Sequence, residues 1–356
     1  MSESPATVRA YQLGDEVSIL ALFSRVFGRT SSESEWRWKF SENPFAPPLA
    51  SLAVDADGLV IAQSTLLPVK LNVMGRAVLA AQSIDAMVDE RRRGEQLFER
   101  TTKHCYENFV ALGGKLVFGF PNRNSYPTLM RKLSRRRVCY LAEYSYRLGV
   151  RGVAKKLLRL PPLVVGAHQV YRVITRLRLA LTDGLLRARL ADSVSVWTSG
   201  SAPKGLDDLW DSIRSHEVFS VWKDAEYMAW RYDQAPGRSF TYYCLSEGEQ
   251  LSGLAVVAHS EGNTASICEL LVRDRNVHHA QLLVSRILLE AHRTDKELVR
   301  FVGHDSGFFD EVFATFTRQL NFGLIFSVRA FDLPGVEDMV PLQENWTITL
   351  GDSDAV

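Results

Sequence analysis

The sequence predicts an α/β (α+β) protein of two domains built on one plan. Three observations carry the prediction. The run from Ser83 to Pro127 reads as strand, charged turn, long helix, strand and polar turn. An internal echo comes next: Trp38-Lys39-Phe40 followed by Pro44 returns as Trp230-Arg231-Tyr232 followed by Pro236, and an offset near the length of a domain points to duplication. The chain has 356 residues, 46% hydrophobic and 23% charged, which suits a globular protein with two cores.

In order, Thr7 to Leu13 reads as a first strand, and Asp15 caps a helix with the apolar stripe Val17, Leu20, Phe23, Val26 and Phe27. A second helix starts near Ser34 and stops at Pro44, Pro47 and Pro48. Leu49 to Val54 and Leu59 to Val73 form a hairpin turning at Asp55-Ala56-Asp57-Gly58. The central strand Ser83 to Val88 leads through the turn Asp89 to Gly94 to a helix over Glu95 to Leu112 and a strand over Lys115 to Phe120. A short helix through Leu133 and a strand over Val138 to Leu148 close the first unit.

The second unit repeats this order with strands at Ser239 to Leu245, Leu251 to His259 and Thr264 to Val272, a helix at Val277 to His292, a strand at Leu298 to Gly303, a helix at Phe308 to Leu320 and a strand at Leu324 to Phe331. The expected division is 1–150, a linker at 151–190, a second domain at 191–335 and a tail at 336–356.

The linker holds nine Lys/Arg against the single Asp183, net +8, so the rest of the chain carries −7. Leu157, Leu158, Leu160, Leu163, Val164 and Val165 surround Pro161-Pro162, and a helical run from Gln169 to Leu190 interleaves Arg172, Arg176, Arg178, Arg187 and Arg189 with apolar residues. Such a helix either packs across both domains with its arginines in water or makes a peripheral contact with an anionic membrane.

The overall charge of +1 gives no general reason to expect nucleic acid. Cys105, Cys139, Cys244 and Cys268 are widely spaced without a CxxC pair, which argues against a zinc site or a disulfide framework. His278-His279 has no third ligand at helical spacing, so no metal is expected. With a polar N-terminus and no apolar run of membrane-spanning length, a cytoplasmic protein is expected, either free or peripheral at the inner membrane face.

A strand-turn-helix unit leaves free N–H groups at the positive end of the helix dipole, where a pyrophosphate can sit. Arg91, Arg92 and Arg93 add charge there. The stretch resembles motif A of the GNAT acyltransferase superfamily, with Arg93-Gly94-Glu95-Gln96-Leu97-Phe98 on the pyrophosphate turn and Gln96 and Phe98 where small residues are expected. Each half is then a mixed, mostly antiparallel twisted sheet flanked by helices. The second half has Arg273 to Ala280 at the corresponding turn, without glycine, and reads as a degenerate copy. Tandem GNAT proteins include the Fem-like aminoacyltransferases. The nearest resemblance is to tandem GNAT proteins of envelope polysaccharide loci, which share the turn Gly119 to Pro127 and an ending like Asn345 to Asp354.

The resemblance implies acetyl-CoA as acyl donor. It places a backbone N–H of Met87 or Val88 at the oxyanion, the turn Arg93 to Phe98 on the pyrophosphate, and Asn122 and Ser125 on the CoA arm. Asn122 and Ser125 also fit simple helix capping. The family's tyrosine acid has no counterpart, because Leu129 and Met130 occupy its region and Ser134-Arg135 replaces the Gly-Phe pair; Tyr126 is the nearest substitute. Asp85 is a candidate base or the partner of a nearby arginine. Trp36, Trp38 and Trp230 either line an acceptor pocket or belong to the core, and Arg131, Lys132, Arg135, Arg136 and Arg137 either meet the nucleotide phosphate or face water.

The expected function is acyl-CoA-dependent N-acyltransfer, most simply N-acetyltransfer, to an amine of a small molecule or cell-envelope sugar. The alternatives are a non-catalytic acyl-CoA or partner-binding protein and an aminoacyl-tRNA-dependent transferase.

Overall fold

The computed structural model describes residues 6–151, 154, 161–259, 262–317 and 319–354. Leu157, Leu158 and Leu160 lie outside the described residues. The first half runs β1 (Thr7–Ala10), α1 (Glu16–Phe27), α2 (Glu33–Trp36) passing into a π turn at Arg37–Ser41, β2 (Leu49–Val54), β3 (Val60–Val73), β4 (Arg76–Val88), α3 (Leu97–Ala111), β5 (Leu116–Gly119), α4 (Tyr126–Lys132) and β6 (Arg136–Arg147). β1 stops short of Leu13 because the Asp15 carboxylate accepts from the Gln12 N–H and pairs with Arg9 at 2.7 Å, turning the chain. α2 opens where the Ser32 hydroxyl accepts from the Glu35 N–H. α3 begins at Leu97, two residues later than its apolar spacing predicts, because Gly94 (φ 100°) and Gln96 (φ 57°) are left-handed.

The linker forms α5 (Pro161–Arg187), and the second half follows with β7 (Val194–Ser199), α6 (Leu206–Arg214), β8 (Phe219–Val221), α7 (Ala225–Met228) with a π turn at Ala229–Asp233, β9 (Phe240–Glu247), β10 (Gln250–His259), β11 (Thr264–Val272), α8 (Val277–Arg293), β12 (Leu298–His304), α9 (Phe308–Ala314) and β13 (Gln319–Ala330). The π turn after α2 and the one after α7 hold Trp38 and Trp230, so the sequence echo is also a backbone echo. The tail adds β14 (Trp346–Thr349) and a 3-10 turn at Leu350–Asp352.

Among the described residues the strands join in one sheet, ordered β1-β2-β3-β4-β5-β13-β6-β12-β11-β10-β9-β7. The halves exchange their last strands. β13 lies antiparallel to β5, β6 lies antiparallel to β12, and β6 and β13 pair with each other at the centre. A second bridge runs through β8, which pairs β3 and β14, while β14 pairs β12. Neither half completes its sheet from its own residues.

The larger apolar core accordingly spans both halves, with Trp38, Phe40, Leu71, Trp210, Trp230, Phe326 and Trp346 in contact. Each of its fully buried aromatic side chains contributes on the order of 2–3 kcal/mol of transfer free energy. A second core lies between α8 and the β9–β12 face. Trp36, Trp38 and Trp230 are all buried in the first core.

Candidate active site

β4 and β5 run parallel with Ala80 opposite Leu116 and Gln82 opposite Phe118, and the pairing ends there. β4 continues to Val88 with its β5-facing edge unpaired. Gly119 sits where the strands part. A Cβ there would meet the Ser83 carbonyl at 3.1 Å and the Arg135 guanidinium at 3.2 Å, so glycine lets the two chains approach before they split.

β4 also bulges in this region. Gln63 faces Met87 and Thr65 faces Ile84, leaving Asp85 and Ala86 opposite Ser64 alone. Asp85 takes φ 44°. Its carbonyl accepts from Gln63 Nε2 at 3.2 Å, and the Ile84 carbonyl accepts from the Thr65 hydroxyl at 2.6 Å. The bulge is therefore fixed from β3.

Two adjoining cavities occupy the split. One of about 620 Å³ is lined by Met87, Val88, Arg92, Arg93, Gly94, Gln96, Leu97, Phe98, Asn122 and Ser125. The other, about 190 Å³, is lined by Ser83, Asp85, Asn122, Ser125, Arg135 and Asp354 among others. Ala86, Phe98, Asn122 and Ser125 belong to both. Of the residues expected at the donor and at the reacting groups, Glu95 and Tyr126 line neither, and neither do Arg91, the three tryptophans Trp36, Trp38 and Trp230, or Arg131, Lys132, Arg136 and Arg137. Glu95 pairs with Arg92 at 2.8 Å, and Tyr126 opens α4 directly after Ser125.

At the larger cavity no side chain caps the amino end of α3, so its first N–H groups remain available to an anion. Arg91 is tied to Asp89 at 3.0 Å, holding the Asp89 carboxyl down at about 2, while Arg93 lies mostly in solvent and pairs with Glu90 at 3.1 Å. Asn122 Oδ1 accepts from the Asn124 and Ser125 N–H groups at 2.9 and 3.0 Å. Asn122 thus shapes the turn before α4 and faces the cavities as well. Of the basic cluster, Lys132 pairs with Glu99 at 2.9 Å and Arg137 stacks on Tyr140.

At the smaller cavity Asp85 is the acidic group nearest the bulge. Its partner is Lys39 at 3.4 Å, not an arginine, and Lys39 also meets Glu35 at 3.4 Å. Burial raises the Asp85 carboxyl above its ordinary range; Lys39 works against this, and the carboxylates of Asp354 and Glu35 add to it. Arg135 follows Ser134, which takes the left-handed conformation (φ 52°) of the glycine it replaces. Its side chain is 3% exposed and donates to the Ser327 carbonyl at 3.3 Å.

Asp354 was invisible as a site residue in the sequence. It arrives because the tail crosses from the second half: Arg231 donates to the Gly351 and Ser353 carbonyls at 3.2 and 2.6 Å, and Gln82 Nε2 reaches Asp354 at 3.4 Å. The one available signal was the shared ending Asn345 to Asp354, which marked the tail without saying where it goes.

The same tail closes the corresponding place in the second half. β11 and β12 part after Ile267 and Phe301, and β14 pairs β12 just beyond, at Gly303 and His304. Glu269, three residues before the end of β11 as Asp85 is before the end of β4, is fully buried. It bonds to Lys223, accepts from Tyr232 at 2.7 Å and from Thr349 at 2.8 Å, and Lys223 meets Asp352 at 3.1 Å. A Cβ on Gly351 would collide with Tyr232 and Glu269. The cavity lined by Leu271, Val272, Arg275 and Phe308 measures only about 20 Å³. Among the described residues no group of three or more His, Cys, Asp or Glu side chains is placed to hold a metal.

Residues 7–133 match the family model described as acetyltransferase (GNAT) domain. The first half is a GNAT acetyltransferase domain. No curated protein matches the chain. In overall structure it is similar to a GCN5-related N-acetyltransferase from Anabaena variabilis (TM-score 0.63, 8% identity, 92% of this chain and 73% of that one) and to another from Kribbella flavida (0.56, 13%, 92% and 72%). It is also similar to a tandem GNAT protein from the clavulanic acid biosynthesis pathway, solved without AcCoA (0.52, 13%, 92% and 98%). Two GNAT folds in tandem therefore describe the whole chain. Within the first, the split of β4 from β5 and the uncapped amino end of α3 adjoin one another.

Proposed function

We propose that the first GNAT domain transfers an acyl group, most simply acetyl, from acyl-CoA to the amine of a small molecule or cell-envelope sugar. The observation that carries this reading is the open split between β4 and β5, continuous with the amino end of α3, while the second half keeps only about 20 Å³ at the corresponding place. The residues fit such a donor. Arg93, Gly94 and the N–H groups from Leu97 onward take the pyrophosphate, the free edge of Met87 and Val88 takes the pantetheine amides, and Asn122 and Ser125 flank that arm.

In this assignment Asp85 accepts the proton that the amine loses, since burial and its acidic neighbours make it a stronger base than a solvated carboxylate. The nitrogen lone pair attacks the thioester carbonyl carbon, the C–N bond forms, the C–S bond breaks, and the sulfur leaves with the electron pair. A backbone N–H of Met87 or Val88 stabilises the oxyanion. Tyr126 stands as the candidate acid by chain position alone. Residues 1–150 hold the donor, 151–190 link the halves, 191–335 support the first domain, and 336–356 deliver Asp354 to the acceptor side.

The test is thermal unfolding with and without acetyl-CoA for the parent and for Arg93→Glu, followed by thiol release with amino sugars and simple amines. A ligand present at 100 times its dissociation constant adds about 2.7 kcal/mol. A rise in midpoint for the parent that shrinks in the variant supports the reading. No response to acetyl-CoA or to longer acyl-CoAs would leave the fold without this donor.

A further inference from the structure

α5 presents two opposite faces. On one, Thr175, Leu179, Asp183 and Leu186 are buried on the side where the helix packs on α8, and the buried His168 accepts from the Val150 N–H. Asp183, the only acidic residue of the linker, is taken up there by Arg286 at 2.9 Å and Ser285 at 3.2 Å, and Arg172 is held by Asp295 at 3.0 Å. On the other face Leu163, Val170, Ile174, Leu177, Leu181 and Leu185 are between 51% and 69% exposed. Their spacing puts them on one stripe roughly opposite Leu179 at about 100° per residue. The same geometry sets Arg176 and Arg187 along one border of the stripe and Arg178 along the other, with Arg189 in the turn just past the helix, all exposed. No carboxylate of α5 lies on that face.

A stripe of large apolar side chains along a helix of 27 residues is a surface that water disfavours, and its borders identify the occupant. A second copy would bring arginine borders against arginine borders, with no acidic side chain of α5 free to pair with them. Spanning a bilayer is not open to it, since no helix among the described residues is long and apolar enough. Anionic lipid satisfies both features, because the stripe can sink to the acyl boundary while the arginines reach headgroup phosphates. We propose that α5 is an interfacial helix that lays the protein on an anionic membrane surface. The proposal is independent of the acyl-transfer reading.

The test is sedimentation of the full chain with vesicles of phosphatidylcholine, alone or mixed with phosphatidylglycerol, at low and high salt. Binding to the mixed vesicles should be roughly tenfold stronger or more and weaken with salt. It should be lost in Leu177→Asp/Leu181→Asp and reduced in Arg178→Glu/Arg189→Glu. Because these side chains are exposed, both variants should keep the parent's circular dichroism and unfolding midpoint. Equal binding to both vesicle types, no binding, or unchanged binding by the variants overturns the proposal. So does a dimer, seen by light scattering without lipid, that Leu177→Asp/Leu181→Asp dissociates, which would assign the face to a second copy.

Discussion

Trp38 and Trp230 each donate the indole N–H to the other's backbone carbonyl, at 2.7 and 3.0 Å, with the rings stacked 5.6 Å apart. The two positions repeat one another in sequence and in their π turns, so the pair marks a local twofold relation at the junction of the halves. Trp38→Phe keeps an aromatic ring but removes part of the buried indole and leaves the Trp230 carbonyl without its donor. It should cost about 2–4 kcal/mol. Because the halves also exchange strands, urea unfolding followed by fluorescence and by circular dichroism should give one coincident transition, shifted to lower denaturant as a whole.

Gly351 lies against Tyr232 and Glu269 with no room for a side chain. Gly351→Ala should destabilise the protein by about 1–3 kcal/mol, the range for overpacking a close-packed interior. Glycine's greater backbone freedom in the unfolded chain offsets only part of this. Equilibrium unfolding of the variant checks it.

Asp85 has a carboxyl raised first by burial, with Lys39 opposing and Asp354 adding. In its proposed role as base it works only when ionised, so kcat/KM should rise with pH through an inflection above the ordinary carboxylate range. Asp354→Asn removes a raising influence and should move the inflection to lower pH, whereas Lys39→Met should move it higher. Asp85→Asn should lower the rate by roughly 10²–10⁴ and abolish the acidic limb. A pH–rate series on the four proteins measures all three.

Gln96 occupies a left-handed position of the turn before α3, the proposed pyrophosphate site, where its Cβ restricts the backbone. Gln96→Gly relieves about 1 kcal/mol of local strain and gives back a similar amount as unfolded-chain entropy, about 0.4–1 kcal/mol. Stability should change little. Acetyl-CoA should bind several-fold tighter by calorimetry, because the chain can approach the phosphates more closely.

Glu217 has its carboxyl pushed up to about 7 by burial. A raised value in the folded state means that its contribution to stability is present below the unfolded value, near 4.3 for glutamate, and is lost as pH rises through about 7. Urea unfolding at pH 6 and pH 8.5 should show the parent losing on the order of 1–3 kcal/mol. Glu217→Gln should lose less.

Local pattern determined most of the elements. The period of apolar residues places α1, α3 and α8, the turn at Asp55 to Gly58 places the β2–β3 hairpin, and the repeated aromatic-cation-aromatic segment reveals the duplication. The helix and hairpin signals each lie within about twenty residues of chain, where side-chain spacing and backbone preference suffice, whereas the repeat is legible by comparing two distant segments. The turn from Arg93 to Phe98 and the Asn122 turn were legible for the same reason. The partner of Asp85 was not. Lys39 reaches it from the π turn after α2 and Asp354 from the end of the chain, and neither separation leaves a periodic trace. The exchange of β6 and β13 was equally hidden, because a strand's alternation shows which face is buried and not which neighbour it pairs with. The missing glycine after Val272 was legible in the second half. That β14 and Gly351 fill its slot depended on packing across the whole fold, where Tyr232, Glu269 and Lys223 meet a segment far removed in sequence.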